Sequence, residues 1–212
     1  MPKRVDPDLR REQVADAVID EIDAHGIRSV TLARIAARSG LAVGSIRHYF
    51  GDTLGEVMRF TLSTLVRRAV NRNPKLSSDP ATRITDVITF VAPTNEQERK
   101  ENAALVEYRV MARTDPALAA EVAATSSATT EAIRSLLLEA LPSGSIDEEV
   151  LNREVLYLHS LIEGFSFSAG LSTEPLREED VRSVAEAAVQ RVLRSHSQAR
   201  EERGSGTREA GL

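Results

Sequence analysis

The chain has 212 residues, of which 42% are hydrophobic, 28% charged and 4% aromatic, and it contains no cysteine or tryptophan. This composition is typical of one compact protein or of a small domain joined to a larger one, and it excludes collagen-like, disulfide-stabilised and disordered chains. Without cysteine there is no thiolate zinc site, disulfide or cysteine nucleophile. The first residues lack the apolar stretch of a signal peptide, and no segment has the roughly 18 apolar residues that a membrane span needs. We therefore expect a cytoplasmic protein.

The formal net charge of −5 hides an uneven distribution of charge along the chain. Residues 1–50 carry eight Lys and Arg against seven Asp and Glu, whereas residues 51–212 carry nineteen against twenty-five. No acidic residue lies between Asp23 and Asp52, and four arginines fall inside that window, namely Arg28, Arg34, Arg38 and Arg47. A short basic segment on an acidic body indicates a local face that binds anions such as phosphate. A chance gap in the charges of a solvated face is the alternative.

Helix signals run along the chain without a convincing strand or hairpin signature, so the predicted fold class is all-α. The first predicted helix starts at Asp6-Pro7, which serve as cap and first helical residue, and stops at Gly26. Thr31 caps a short second helix that ends at Ser39-Gly40, and a third helix spans about Val43 to Phe50. The residues of these helices that should face inward form a three-helix core and are Leu32, Ile35, Leu41, Ile46 and Phe50.

Two short helices joined by a tight turn with glycine form the geometry in which the second helix enters a DNA major groove while the first braces it. Gly44 would let the backbone come close to DNA, and Ser45 could hydrogen-bond to bases or phosphates. Arg47 could contact guanine or grip a phosphate, Val43 could touch a thymine methyl, and Tyr49 could donate to a phosphate. The third helix is therefore the predicted recognition helix.

The segment from Thr31 to Phe50 also carries motifs at fixed spacing: a T-x-x-x-I-A block, a Gly40-Leu41 turn and the terminal run His48-Tyr49-Phe50. With the preceding residues 24–30, it resembles the DNA-binding domain of TetR-type (TetR/AcrR-like) transcriptional regulators over about residues 10–65. The resemblance implies a homodimeric, ligand-responsive regulator of the repressor type. Such a protein would bind a near-palindromic DNA operator, with half-site centres roughly 34 to 36 Å or more apart, and be released by a small-molecule inducer.

Two positions depart from the family pattern. Ala42 stands where a Ser or Thr usually caps the recognition helix, which typically costs about 1 kcal/mol. Thr53 stands where a Lys often contacts a phosphate, which should lower the salt dependence of DNA binding by roughly one unit of slope. Solvation without DNA contact is the alternative for Arg34 and Arg38, and for His48. The candidate DNA-binding residues are Thr31, Arg34, Val43, Gly44, Ser45, Arg47, His48, Tyr49 and Thr53.

Six more helices are predicted beyond Asp52, which gives about nine in all. The fourth helix is predicted from Leu54 to about Asn71, the fifth starts at Asp79-Pro80, and the sixth starts near Thr94. The seventh runs from Asp115-Pro116 to Leu141-Pro142, the eighth from Ile146 to Ala169, and the ninth over residues 178–194. The predicted domains are a helix-turn-helix DNA-binding domain over residues 1–52 and a larger ligand-binding and dimerisation domain over residues 53–194. Residues 195–212 turn polar and should form a flexible tail.

The eighth helix carries apolar residues on one face at steps of four and three, and its opposite face holds Leu156, Leu161 and Phe167. A helix that is apolar on both sides must be buried on both. The eighth and ninth helices could therefore pair with their two-fold mates in a four-helix interface, or they could simply cover the core of one chain. The candidate interface residues are Leu151, Val155, Leu158, Ile162, Phe165, Val181, Val184, Ala188 and Val192.

Helix position and polarity indicate a candidate ligand cavity, although core packing is the alternative for each of its residues. These residues are Met58, Leu62, Phe90, Leu105, Tyr108, Met111, His159 and Phe165. The pair His159 and Glu163 could serve a cavity or form an intrahelical ion pair. Motifs of nucleophilic, P-loop and dinucleotide enzymes are absent, and no metal-ligand spacing surrounds a histidine, so we expect no catalytic residue, metal or cofactor. An all-α enzyme and a helical dimeric adaptor remain the alternatives, and the acid-free window argues against the adaptor.

Overall fold

The computed structural model describes residues 6–72, 74–141 and 146–209, except for the side chains of residue 117 and of residues 197–209. Within these residues the chain forms nine α-helices and one 3₁₀ turn (Ile27–Ser29), and it contains no strand. The helices are α1 (Pro7–His25), α2 (Leu32–Ser39), α3 (Val43–Phe50), α4 (Leu54–Asn71), α5 (Pro80–Val91), α6 (Glu96–Ala112), α7 (Pro116–Ala140), α8 (Glu148–Gly170) and α9 (Glu178–Glu209). The predicted all-α fold class is confirmed.

Side-chain caps explain why several helices begin where they do. The Asp6 carboxylate accepts a hydrogen bond from the Asp8 backbone N–H at 2.9 Å, and proline occupies the first position of α1. Thr31 Oγ1 accepts from the Arg34 N–H at 3.2 Å, and the Asp79 carboxylate accepts from the Thr82 N–H at 2.8 Å. Each cap satisfies one of the donors that a helix leaves open in its first turn, so these three predicted starts are confirmed.

Three helix ends differ from the sequence analysis. α6 begins at Glu96 rather than near Thr94, because the Asn95 side chain accepts a hydrogen bond from the Glu98 N–H at 3.0 Å and caps the helix there. α8 begins two residues later than expected, at Glu148. α9 continues to Glu209 through most of the predicted tail. Residues 198–203 are good helix formers, which favours its extension past residue 194.

The chain divides into two compact units that do not follow the predicted boundary at residue 52. Unit 1 comprises Met1–Asn73, Asn95–Thr125 and Phe167–Pro175. Unit 2 comprises Pro74–Thr94, Ser126–Ser166 and Leu176–Leu212. α6 therefore belongs with the N-terminal helices, although the sequence analysis assigned it to the second domain.

The core of unit 1 is built around three helices that the sequence analysis placed together. Val18 of α1, Ile35 of α2 and Ile46 of α3 are completely buried, and Phe50 is 7% exposed. The Phe50 ring packs edge-on against Phe60 of α4 with ring centroids 5.2 Å apart. Burying one such side chain contributes about 1.5 to 3 kcal/mol, so this core fixes the face that α3 turns outward. The predicted inward residues Leu32 and Leu41 pack against the same core and are partly buried.

Ion pairs connect α1 to α4 and α6 within unit 1. The carboxylates of α1 that take part lie at positions 12, 16, 20 and 23, which share one helix face. Arg68 Nη2 lies 2.7 Å from Glu12 Oε2 and 2.8 Å from Asp16 Oδ1, and Arg99 Nη1 lies 2.9 Å from Asp23 Oδ1. Arg68 also reaches Glu101 of α6 at 3.2 Å, so one guanidinium joins α4 to both neighbouring helices.

Unit 2 has its own apolar core, to which four helices contribute. Its buried residues are Ile84 and Ile88 of α5, Ile133 and Leu137 of α7, Leu151, Val155 and Leu158 of α8, and Ala185, Ala188, Val189 and Val192 of α9. The Arg182 guanidinium lies 3.0 Å from the Asp86 carboxylate and ties α9 to α5 at the surface. Among the described residues, no helix is long and apolar enough to cross a membrane.

Candidate nucleic-acid interface

The outward face of α3 is the centre of the candidate interface. Ile46 and Phe50 are buried beneath the helix, whereas Arg47 and His48 are exposed. Tyr49 is half-buried against the unit 1 core, and its ring meets the His48 ring edge-on at 5.3 Å. Gly40, with φ of 69°, makes the left-handed turn that ends α2 and redirects the chain toward α3. The predicted separation of inward and outward residues on α3 is therefore confirmed.

The N-terminal end of α3 is open on its outer side. Ala42 caps the helix without a side-chain hydrogen bond, as expected from its methyl group. Its carbonyl oxygen accepts bonds from the Ser45 N–H at 2.9 Å and the Ile46 N–H at 3.2 Å. A Cβ atom added at Gly44 would meet nothing within 4 Å. No side chain among the described residues therefore covers the backbone of this turn at Gly44.

Arg47 is held only loosely by the protein. Its Nε lies 3.9 Å from Asp52 Oδ1, and the two side chains are 53% and 92% exposed. An exposed ion pair at this distance contributes little to stability. The Arg47 guanidinium is consequently available to an outside anion.

Thr31 and Thr53 lie at the starts of α2 and α4, and both are exposed. Thr31 uses its hydroxyl oxygen to cap α2, as described above, while its hydroxyl proton remains a possible donor to a phosphate. Thr53 precedes α4 and makes no side-chain cap. Both residues remain candidate backbone contacts.

Glu21 of α1 is a functional candidate that the sequence analysis did not identify. It is 3% exposed, and its carboxylate binds two arginines of α2. Arg34 Nη1 donates to Oε1 at 2.5 Å, and Arg38 donates to Oε2 through Nε at 3.1 Å and Nη2 at 2.9 Å. The hydrogen bond from Arg34, supported by those from Arg38 and Ser29 and opposed by burial, lowers the pKa of Glu21 to about 2. The sequence could have indicated a buried ion pair at Glu21, because this residue lies beside Val18 and Ile22 on the apolar stripe of α1, where a carboxylate needs a charged partner.

The predicted cavity residues fall into both units. Met58, Leu62 and Tyr108 are buried in the unit 1 core, where Leu105 and Met111 pack beside them. The Tyr108 hydroxyl donates to the Met58 carbonyl at 2.9 Å, and burial raises the pKa of this phenol well above its usual range. For Met58, Leu62 and Tyr108, core packing thus accounts for the observed positions.

Phe90, His159 and Phe165 lie in unit 2 and are partly buried. His159 Nε2 is buried and has no hydrogen-bond partner among the described residues, and the nearest Glu163 oxygen is 3.7 Å away. A buried nitrogen in this state costs free energy unless a ligand or water meets it. This observation distinguishes His159 from the other predicted cavity residues.

A cleft of about 400 Å³ lies within unit 1 and contains none of the predicted cavity residues. Its walls come from the end of α1, from α6 and from the segment after α8. Arg99 lines it and is 7% exposed, bound to Asp23 and to Glu96, whose nearest oxygen is 2.9 Å from Arg99 Nη2. The buried charge of this wall is therefore compensated inside the protein.

Most of the predicted interface residues are buried within one chain. Leu151, Val155, Leu158, Val181, Ala188 and Val192 are between 0% and 4% exposed. Side chains without exposed surface cannot bury more of it against a second copy, which corrects their assignment to an interface. Ile162 and Phe165 are partly buried, and Val184 is 45% exposed. Among the described side chains, the large apolar residues that these two helices leave exposed in unit 2 are Leu156 at 64%, Tyr157 at 38% and Val184.

Tyr157 and Val184 belong to a surface formed by α8 and α9 together. The Arg191 guanidinium lies 3.9 Å from the centre of the Tyr157 ring, and its Nη2 lies 2.5 Å from Glu154. Val184 is seven residues before Arg191 and thus lies on the same face of α9. A Cβ atom added at Gly164 of α8 would meet nothing within 4 Å, so that helix could be approached closely there. We name Leu156, Tyr157, Gly164 and Val184 the α8–α9 face.

Comparison with known proteins agrees with this architecture. The chain is 34% identical over 91 residues to the HTH-type transcriptional regulator BetI of Paraburkholderia phytofirmans, which covers 42% of this chain and 47% of BetI. It is 28% identical over 116 residues to the HTH-type transcriptional regulator PksA of Bacillus subtilis, which covers 53% of this chain and 56% of PksA. The chain thus spans about half the length of the curated relatives it matches.

The fold is similar to the crystal structure of a transcriptional regulator from Rhodococcus sp. Rha1, with a TM-score of 0.75 over 87% of this chain and 96% of that one. At 21% identity this likeness concerns the fold alone. Residues 80–194, more than half of the chain, match the model of the C-terminal domain of BetI-type transcriptional repressors. The chain therefore belongs to the BetI-type family of TetR transcriptional regulators rather than to a family of enzymes.

Proposed function

We propose that the protein is a ligand-responsive transcriptional repressor that works in the cytoplasm and reads DNA with α3. The observation that carries this proposal is the open outer face of α3, where Arg47 and His48 are exposed above the buried pair Ile46 and Phe50. A helix of this kind can place its outer side chains against base edges because the core beneath fixes its orientation. Ser45 and Val43 are half-buried on the same helix and complete the candidate reading set.

Phosphate contacts would surround this reading set. Thr31 and Thr53 lie at the starts of the neighbouring helices, and Tyr49 presents a phenol at the edge of α3. Such contacts set the orientation of a protein on DNA but carry no sequence information themselves. Gly44 would let the α3 backbone reach the DNA surface, since a Cβ atom added at this position would meet nothing within 4 Å.

Reading a near-palindromic operator requires two copies of the chain, and we propose that they join through the α8–α9 face. Leu156 and Val184 are large apolar side chains left exposed in one chain, and Gly164 permits close helix contact. Four helices, two from each copy, would then form a two-fold interface. Ile162 and Phe165, which are only partly buried, lie next to this face in sequence and would be covered further.

The proposal includes a site for a small-molecule inducer in unit 2. We propose that this site includes His159, because the buried Nε2 of His159, which has no hydrogen-bond partner among the described residues, would gain one from a ligand. Phe90 and Phe165 of the same unit remain the candidate apolar contacts. A ligand that binds one conformation of the dimer better than the other would shift the protein away from its DNA-bound state.

Selection of binding sequences from a random duplex DNA pool at fixed, near-physiological salt tests the function directly. Enrichment of a two-fold symmetric motif by the wild-type protein, with loss of enrichment in Arg47→Ala, is the expected result. No enrichment by a folded, dimeric protein would contradict DNA reading and favour the helical adaptor, once mass spectrometry under native conditions has excluded a bound small molecule. The selected motif would then serve to screen for compounds that release the protein.

A further inference from the structure

Glu21 joins three parts of the DNA-reading half of unit 1. It lies on the buried side of α1, and both of its carboxylate oxygens have partners. Oε1 receives Arg34 Nη1 at 2.5 Å and the Ser29 hydroxyl at 3.0 Å, with His25 Nδ1 at 3.2 Å. Oε2 receives Arg38 Nε at 3.1 Å and Nη2 at 2.9 Å. One carboxylate therefore holds α1, the 3₁₀ turn and α2 together.

The two arginines of this cluster are partly exposed on the outer side of α2. The Arg34 side chain is 51% exposed and that of Arg38 is 32% exposed, whereas that of Glu21 is only 4% exposed. Arg34 and Arg38 are four residues apart and so lie side by side on one helix face. Because one carboxylate faces two guanidinium groups, the cluster keeps a net positive charge. The guanidinium N–H groups that do not bind Glu21 can donate hydrogen bonds to an acceptor outside the protein.

We propose that Glu21 is a positioning residue for DNA binding, which holds Arg34 and Arg38 as a pre-oriented pair against the phosphate backbone beside the groove that α3 enters. This inference rests on the proposed function. In a helix-turn-helix the first helix of the motif crosses the DNA backbone, and α2 is that helix here. An arginine binds phosphate more tightly when its guanidinium group is already oriented, because less side-chain entropy is then lost on binding.

Two opposite expectations make the inference testable. Removing the Glu21 charge makes the protein one unit more positive, and electrostatics alone would then strengthen its attraction to DNA. Positioning predicts the reverse, since the neutral amide in Glu21→Gln can accept from one guanidinium but its NH₂ group repels the other donor. Ordering a released arginine at an interface costs up to about tenfold in affinity. We therefore expect Glu21→Gln to weaken specific DNA binding about tenfold.

The experiment measures the dissociation constant of the full-length protein for the selected operator by fluorescence anisotropy, over a series of salt concentrations. The variants are Glu21→Gln, Arg34→Gln and their double mutant, with Asp20→Asn as the matched control. Asp20 precedes Glu21 on α1 and pairs with Lys100 at 3.5 Å, so its change removes the same charge without touching α2. Circular dichroism reports whether each variant is folded, and Glu21→Asp, which keeps the charge on a shorter stem, replaces Glu21→Gln in the cycle if the latter unfolds.

The inference is supported if Glu21→Gln weakens binding while Asp20→Asn does not, and if Glu21→Gln causes a smaller loss once Arg34 is replaced, because only Arg38 is then left for Glu21 to position. Arg34→Gln should also reduce the salt slope by about one unit. Tighter or unchanged binding by Glu21→Gln, or an equal loss with and without Arg34, would overturn it. A wild-type protein that selects no DNA motif would instead contradict the proposed function, so the two failures are distinguishable.

Discussion

Gly44→Ala separates the stability of α3 from its contact with DNA. In the protein alone the added methyl group has free space, because a Cβ at this position meets nothing within 4 Å and the residue lies in ordinary helical backbone. Alanine favours a helix over glycine by up to about 1 kcal/mol. We therefore expect the free energy of unfolding to stay unchanged or to rise by that amount, with the thermal midpoint up to about 4 °C higher.

On DNA the same methyl group should be harmful. If the first turn of α3 lies against the DNA surface, an extra carbon must displace one of the two partners, and forced packing of this kind costs about 1 to 3 kcal/mol. The dissociation constant for the selected operator should then rise by roughly 5- to 150-fold. Fluorescence anisotropy measures this change, and thermal denaturation of the same sample measures the stability.

A matched control is available in the neighbouring helix. Gly55 occupies the second position of α4, as Gly44 does in α3, and its added Cβ would meet only ordinary contacts at 3.7 Å or more. Gly55→Ala should resemble Gly44→Ala in stability but leave the operator affinity within about twofold. Unchanged DNA affinity in Gly44→Ala would refute the close approach of α3, and a loss of stability would refute the helical geometry from which it was argued.

Three further changes test other parts of the molecule. Arg47→Ala should weaken specific DNA binding by about 1 to 3 kcal/mol and lower the salt slope by about one unit, while circular dichroism stays unchanged because the side chain is exposed and loosely paired. The guanidinium of Arg34, aided by Arg38, Ser29 and His25, lowers the pKa of Glu21 to about 2 from a usual value near 4.5. The ionised Glu21 therefore contributes its full stabilisation of the fold above about pH 4.5, and this contribution decreases as the pH falls toward 2. Urea titrations between pH 6 and 3 should show that loss, and a curve for Glu21→Gln that falls as steeply would contradict it. Leu156→Asp should convert a dimer into monomers in analytical ultracentrifugation, whereas Leu138→Asp, a change at another exposed leucine of unit 2, should not; equal behaviour of the two variants would argue against the α8–α9 face.

Local patterns were sufficient to predict most helix starts. Asp6, Thr31 and Asp79 cap helices through contacts with N–H groups two or three residues away, which a sequence displays directly. The start of α6 was misplaced although Asn95 and Glu98 carry the same kind of signal. The predicted reading face of α3 also followed from local spacing, since Ile46 and Phe50 are one helical turn apart and both are buried.

Contacts between distant residues account for what the sequence did not reveal. The acid-free window predicted a basic face that binds anions, and it did not reveal that Glu21, thirteen and seventeen residues away in sequence, pairs with Arg34 and Arg38. The apolar stripes of α8 and α9 could equally serve a monomer core or a two-fold interface, because periodicity reports burial but not the partner. Only the packing of α5 and α7 against Leu158 and Val192 assigns those side chains to the core of one chain.

The three tyrosines of this chain make it a convenient object for spectroscopy. With no tryptophan present, tyrosine alone gives the intrinsic fluorescence, and the three tyrosines lie in three different helices, α3, α6 and α8. Tyr49 belongs to the reading helix α3, Tyr108 is enclosed in the unit 1 core, and Tyr157 lies under Arg191 on the α8–α9 face. Fluorotyrosine labelling should therefore give three ¹⁹F resonances that report DNA binding, folding and self-association independently, and phenylalanine variants at each site would assign them.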